Sequence, residues 1–464
     1  MKILILGAGQ TGGTLAEHLA NEAFDITLVD HDAARLKDLK DRLDIQTVHG
    51  HASRPDTLHA AGADDADLLI AVTNSDEVNM VACQVCYSLF QTPTKIARIR
   101  SNEYITGSNG GDADIRFFSR DHMPIDVLIN PERVVMEQIK ELLEHPGALQ
   151  VVDFAERRVQ LVAMRAYHGG PLVRQQLRSL REHIPKVDTK VVAIFRDGRP
   201  ITPTAKTVID ADDEVFFIAP AKDINAVMSE FKHEERPNKR VIIAGGGNIG
   251  LQLARAIEDS FGVKVVEFSE SRAELVAERL TSGVVIHGNA TDRDLLIEEN
   301  VNDTDAFCAV TNDDEVNVMS SLLAKRLGAR RVICLIAKPA YVDLMQETDI
   351  DIAISPQLTT MSSILSHVRR GDVARVHSLR RGAVEAIEAV VHGDARHSRV
   401  VDRRIDQITF PAGVTVGAIV RDDEVIVASD DAVIRSEDHV ILFLADKSRI
   451  RAVERLFQVG LGFF

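Results

Sequence analysis

Short apolar, β-branched runs alternate with amphipathic stretches along the first 130 positions. KILIL, DITLV, IQTV, DLLIAV and KIARI have the continuous apolar character of strands covered on both faces. TLAEHLA and ARLKDLKDRL between them have helical spacing, and a sixth run, DVLIN, precedes a helix that begins near Pro131. Strand and helix in strict alternation predict a doubly wound parallel sheet. The pattern then changes. VQLVAMRA, KVVAIFRDG and EVFFIAP follow in quick succession and close on a short helix, AVMSEF, as a small α+β domain would.

The whole arrangement is then written again. GAGQTG at Gly7 returns as GGGNIG at Gly245, and AVTN at 71–74 returns at 309–312, both 238 positions later. From Ile125 onward the spacing is 225: Pro131 matches Pro356 and Asp213 matches Asp438. The difference of 13 implies an extra surface segment in the first copy, at about 108–118 (SNGGDADIRFF). In the second copy VEAIEAVV, TVGAIVRDD and HVILFLAD, then RAVERLF, repeat the small domain. The expected fold class is α/β: two Rossmann-like doubly wound parallel sheets, each followed by a small α+β domain. The expected domains are 1–145, 146–235, 239–370 and 374–464, with the charged stretch HEERPNK at 233–239 as the central linker.

The 464 residues suit several cores rather than one. No apolar run is long enough to span a bilayer and MKILILGAGQ has no signal-peptide layout, so a cytoplasmic chain is expected. A formal charge of −16 argues against nucleic acid or anionic lipid as the main ligand. Cys83, Cys86, Cys308 and Cys334 are too few for a disulfide framework. The CxxC at 83–86 reads as buried thiols on a helix, and His49-Gly50-His51 lacks the carboxylate partner a metal would want.

The candidate chemistry lies in the glycine motifs. Each follows an apolar strand, opens a helix, and has an acid closing the next strand: Asp30 in the first copy, Glu267 in the second. Gly7 permits a tight turn, Gly9 lets backbone approach a pyrophosphate, and Gly12 lets helix and strand pack. Asp30 or Glu267 would accept hydrogen bonds from adenosine ribose hydroxyls and repel a 2′-phosphate. The same residues could also serve only to tighten a turn. Arg98 and Arg100 close the fifth strand, where open α/β sheets hold ligands. Their register partners are expected to be Ile336 and Lys338, and Asn289 replaces His51, so the second site should hold polyphosphates less well. Thr73, Asn74, Thr311 and Asn312 follow the fourth strands, where an Asn or Ser helix cap is an alternative role. No P-loop, nucleophile elbow or HExxH is present, and no acid/base pair is placed for hydride transfer. A binding protein without catalysis is therefore expected; a nicotinamide-dependent oxidoreductase with a duplicated dinucleotide-binding domain is the alternative.

With these residues in order, the chain resembles the regulator-of-potassium-conductance (RCK, or KTN) family. GAGQTG, HGHASRPD, AVTNSDEVNM, ARIRSNEY, PGALQVV, GGGNIG, ISPQ and SLRRGAVEAIEA carry the resemblance. The resemblance implies a peripheral protein at the cytoplasmic face of the inner membrane. It also implies four tandem chains in a ring beneath the membrane subunit of a Trk-type potassium channel (TrkH-like). The ring would bind NAD(H) and, in the first module, ATP or ADP, without catalytic residues or a metal site. Carried over by position, the cofactor-binding residues are Gly7, Ala8, Gly9, Gln10, Thr11, Gly12, Asp30, Ser53, Thr73, Asn74, Arg98 and Arg100. In the second copy they are Gly245, Gly246, Gly247, Asn248, Ile249, Gly250, Glu267, Thr311 and Asn312.

Overall fold

The computed structural model describes residues 1–20, 24–106, 117–231, 239–338, 341, 345, 348–368, 373–379, 384–446 and 449–458. Most of the extra segment at 108–118, nearly all of the linker at 233–239 and part of the expected boundary between 370 and 374 lie outside them.

The first sheet is built from β1 (Lys2–Leu6), β2 (Asp25–Asp30), β3 (Gln46–His49), β4 (Leu68–Ala71), β5 (Thr94–Arg98) and β6 (Val127–Ile129). Its order is β3-β2-β1-β4-β5-β6, and every pairing is parallel. β1 and β4 are buried almost throughout, which is why their sequences lack the in-out alternation of a one-sided sheet. The small domain that follows is an antiparallel sheet, β7 (Ala148–Phe154), β8 (Val159–Arg165), β9 (Lys190–Arg196), β10 (Arg199–Ile201) and β11 (Glu214–Pro220), ordered β10-β9-β11-β8-β7.

The second half repeats both sheets. β12 (Arg240–Ala244), β13 (Gly262–Glu267), β14 (Val284–His287), β15 (Ala306–Ala309), β16 (Arg331–Leu335) and β17 (Ile352–Ile354) take the order β14-β13-β12-β15-β16-β17. The second small domain contains β18 (Val373–Leu379), β19 (Val384–Val390), β20 (Arg403–Arg404), β21 (Val414–Arg421), β22 (Glu424–Val427), β23 (Val433–Ile434) and β24 (His439–Leu444). Five of these form a sheet ordered β18-β19-β24-β21-β22, while β20 pairs with β23. One ion pair recurs at matching places: Arg196 Nε donates to Asp213 (2.8 Å) and Arg421 Nε donates to Asp438 (2.8 Å), and both carboxylates are buried.

The halves are not side by side; each holds part of the other's core. The helix Pro131–Glu144 leaves the first sheet, and its Val135, Ile139 and Leu142 pack in one cluster with Val241, Ile243 and Ala254 of the second. The helix Pro356–Val368 returns the exchange: Met361, Ile364 and Leu365 pack with Ile3, Ile5 and Leu15 of the first. The exchanged helices also touch, Thr359 Oγ1 donating to Gln138 Oε1 at 3.0 Å. The small domains join face to face, with Phe154, Phe195 and Phe216 in one apolar cluster with Val384, Ala418 and Phe443.

The repeat register needs one correction. The first copy's extra residues are not one block between Arg100 and Ile125. The helix Asp76–Val85 runs into a π-helical turn, Cys86–Phe90, and ends on Gln91 at φ +52°; its counterpart Asp314–Leu327 stays α-helical and ends on Gly328 at φ +112°. A π turn holds more residues than an α turn, so it absorbs one residue before the fifth strand begins. β5 and β16 therefore match at a spacing of 237: Ala71 pairs with Ala97 and Ala309 with Cys334. The counterparts of Arg98 and Arg100 in the second copy are Leu335 and Ala337, not Ile336 and Lys338.

Candidate functional site

The sheet order reverses between β1 and β4, and the carboxyl ends of β1, β2, β4 and β5 converge there. Gly7 turns at φ +105°; a Cβ on it would stand 3.1 Å from the Thr73 backbone. Gly12 faces the Gly7 carbonyl so closely that a Cβ would lie 1.8 Å from its oxygen. The third glycine thus seats the helix Gln10–Ala20 directly on the turn. Gly9 has open space on its Cβ side, with no heavy atom within 4 Å. Gly245, Gly247 and Gly250 reproduce all three conditions. The loop is closed where it must fold and open where a ligand's phosphates would approach, beside N–H groups with no partner inside the helix.

Asp30 is buried at the end of β2. Its Oδ2 accepts from the Ala8 N–H (2.5 Å) and its Oδ1 from the Asp32 N–H (2.8 Å), so the carboxylate ties the second strand to the glycine loop. Glu267 does the same: Oε2 accepts from Gly246 N–H (2.6 Å) and Oε1 from Ser269 N–H (2.9 Å). Each carboxylate keeps acceptor capacity beyond these backbone bonds.

Thr73 lies across the crevice from Gly7. Its hydroxyl and its N–H both donate to Asn79 Oδ1, at 2.7 and 3.0 Å. The Asn79 amide donates in turn to the carbonyls of Thr73 (3.3 Å) and Arg98 (2.8 Å). Thr311, Asn317 and Leu335 repeat this network. The fully buried Asn79 and the nearly buried Asn317 staple the ends of the fourth and fifth strands together. They were not singled out from sequence, although their shared place six residues after Thr73 and Thr311 was the available signal. Asn74 and Asn312 are exposed, and the helix caps are Ser75 and Asp313. Ser53 sits further out, beyond β3, against His51 Nδ1 (3.0 Å), while His49 Nε2 meets the His31 carbonyl (3.0 Å). No group of three or more metal-ligating side chains is gathered among the described residues.

The cationic edge belongs to the first module. Arg98 donates through one terminal nitrogen to the Thr73 carbonyl (2.6 Å), and its Nε is buried without a hydrogen-bond partner. Burial, and then the neighbouring Arg100, hold this guanidinium below the usual arginine range. Arg100 Nε donates to Glu132 Oε1 at 2.9 Å, while its backbone N–H reaches Asp76. In the second module Asp314 accepts from Ala337 and Lys338 N–H instead, and the Lys338 ammonium turns away to Glu315 (3.1 Å). Both guanidinium positions are therefore aliphatic there.

All four cysteines are buried. Burial pushes the Cys86 thiol up to about 11 and those of Cys308 and Cys334 to about 12, and raises Cys83 as well. Among the described residues no helix is long and apolar enough to cross a membrane.

Residues 3–117 and 241–356 match the TrkA-N domain family, and 161–232 and 395–458 match the TrkA-C domain family. Over 464 residues, all of both chains, the protein is 60% identical to the Trk system potassium uptake protein TrkA of Halomonas elongata. It is 54% identical to the protein of that name from Vibrio alginolyticus, over 99% of each chain. Among solved structures, the GsuK channel bound to NAD aligns with 98% of this chain and 78% of its own at a TM-score of 0.58 and 16% identity, a likeness of fold.

Proposed function

This chain belongs to the family of Trk system potassium uptake proteins TrkA, and from that premise we propose that it is a nucleotide-sensing regulator of potassium flux through a Trk-type membrane subunit. The observation that carries the reading is Arg98. A cation whose Nε is buried without an acceptor, beside a glycine loop open at Gly9, fits an anionic ligand. A nucleotide laid from Asp30 across Gly9 to the arginine edge meets a ribose acceptor, a phosphate cradle and a cationic clamp in succession. NAD(H) and ATP or ADP share the adenosine half, and differ in the charge presented to Arg98 and Arg100.

No member of the site is a poised nucleophile or proton shuttle, so binding is the output. A ligand shifts a conformational equilibrium only through unequal affinity for its states. The exchanged helices supply a place for that inequality. Gln357, on the helix from the second half, donates to the Gln10 carbonyl (2.9 Å) and the Thr14 hydroxyl (2.7 Å) of the helix that opens on the first glycine loop. A phosphate drawn onto that helix pulls on the junction of the halves. In the proposed assembly, four chains form a ring on the cytoplasmic side of a TrkH-like subunit, and coupling of about 1–3 kcal/mol per chain adds around it. Potassium flux into vesicles holding both proteins, measured with NADH, NAD, ATP and ADP in turn, tests the reading. Flux that ignores every nucleotide overturns it.

A further inference from the structure

The second module lacks both guanidiniums, so something other than phosphate charge must hold a nucleotide there, if the reading above is right that this module binds one. Phe268 directly follows Glu267 at the end of β13 and is 76% exposed, more than any other large apolar side chain among the described residues. Its backbone is fixed as firmly as in the first copy: His287 Nε2 meets the Phe268 carbonyl at 3.1 Å, as His49 Nε2 meets that of His31. Only the side chain differs. At the matching position the first module carries His31, whose ring reaches back to Asp30 at 3.2 Å. A phenyl ring left this exposed contributes little to the core. It stands one residue beyond the ribose acceptor, where the base of a bound adenosine would lie.

We propose that Phe268 is the base platform of the second site: adenine stacks on the phenyl ring while Glu267 takes the ribose. This module then recognises the nucleoside and is indifferent to the number of phosphates, whereas the first reads phosphate charge through Arg98 and Arg100. One chain thereby takes two different readings of the adenine nucleotide pool.

The test silences the first site with Gly9→Asp. That side chain enters open space, so the fold tolerates it, and its charge repels phosphate. In this background the full-length protein is titrated with NAD, ADP, ATP and the fluorescent analogue etheno-ADP. With Phe268 intact, NAD, ADP and ATP bind with similar affinity, and stacking quenches etheno-ADP. Phe268→Ala weakens adenine nucleotides about tenfold to a hundredfold and abolishes the quench, while Phe268→Tyr preserves both. Truncating an exposed ring leaves the core intact, so melting does not move. If Phe268→Ala changes neither affinity nor quench while Glu267→Ala abolishes binding, the second site is real and the platform is refuted. If no nucleotide binds with Phe268 intact, the second site itself is refuted and the platform falls with it.

Discussion

Glu267 and Gly246 form a matched pair. The longer carboxylate reaches the loop N–H that matches the one Asp30 reaches at Ala8, and in doing so it crowds the Cβ side of Gly246. A Cβ on Gly246 would stand 2.9 Å from Val276 Cγ2 and 3.2 Å from Glu267 Oε2. The carboxylate at the strand end and Val276 of the following helix thus leave room in the loop only for glycine.

Gly246→Ala is accordingly expected to destabilise the chain by about 1–3 kcal/mol, the usual range for overpacking. Adding Glu267→Asp, which recreates the pair of the first module, should return the part of the loss due to the carboxylate and leave the part due to Val276. Melting of the single and double variants checks this, and strict additivity would break the pairing.

Asp30→Ala should weaken NADH and ATP together by about 1–3 kcal/mol, the range for a hydrogen bond to a charged group. The structure adds that the same change frees the Ala8 N–H, so Asp30→Asn, which keeps one acceptor oxygen, should lose less. Calorimetry in which Asp30→Ala leaves both affinities unchanged would remove Asp30 from the site.

Arg100 is held by Glu132, whose carboxylate is buried while the arginine is largely exposed. Arg100→Ala should reduce ATP affinity more than NADH affinity, and salt should weaken ATP binding the more steeply of the two. Glu132→Gln releases the guanidinium toward a ligand and should raise ATP affinity. Equal effects of Arg100→Ala on both nucleotides would place the charge sensor on Arg98.

The thiols should be silent in the folded chain. With pKa values pushed to about 11 and 12 by burial, Cys86, Cys308 and Cys334 hold roughly a thousandth or less of their thiolate at pH 8. Alkylation followed by mass spectrometry should label none of the four at that pH until denaturant is added. Rapid native labelling of Cys83 or Cys86 would contradict the burial.

The glycine turns, the strand runs and the doubling of the chain were legible because each is a local pattern with a local cause. Three features were not. An amphipathic helix announces that one face is buried without saying against what, so Pro131–Glu144 and Pro356–Val368 gave no sign of their exchange. The π turn at Cys86–Phe90 hid a single residue, and that residue moved the partners of Arg98 and Arg100 from Ile336 and Lys338 to Leu335 and Ala337. Asn79 lay inside a motif whose threonine drew attention to the ligand side, while its own bonds run to the backbone of two strands.

The exchange of helices also speaks to ancestry. Two identical chains trading those helices would have had identical nucleotide sites by symmetry, each bound to any substitution in the other. Joining two such chains through one peptide linker keeps the shared packing and ends that constraint. Asp30 with Ala8 could then drift from Glu267 with Gly246, and arginines from Leu335 and Ala337, inside a scaffold that each half still needs the other to complete.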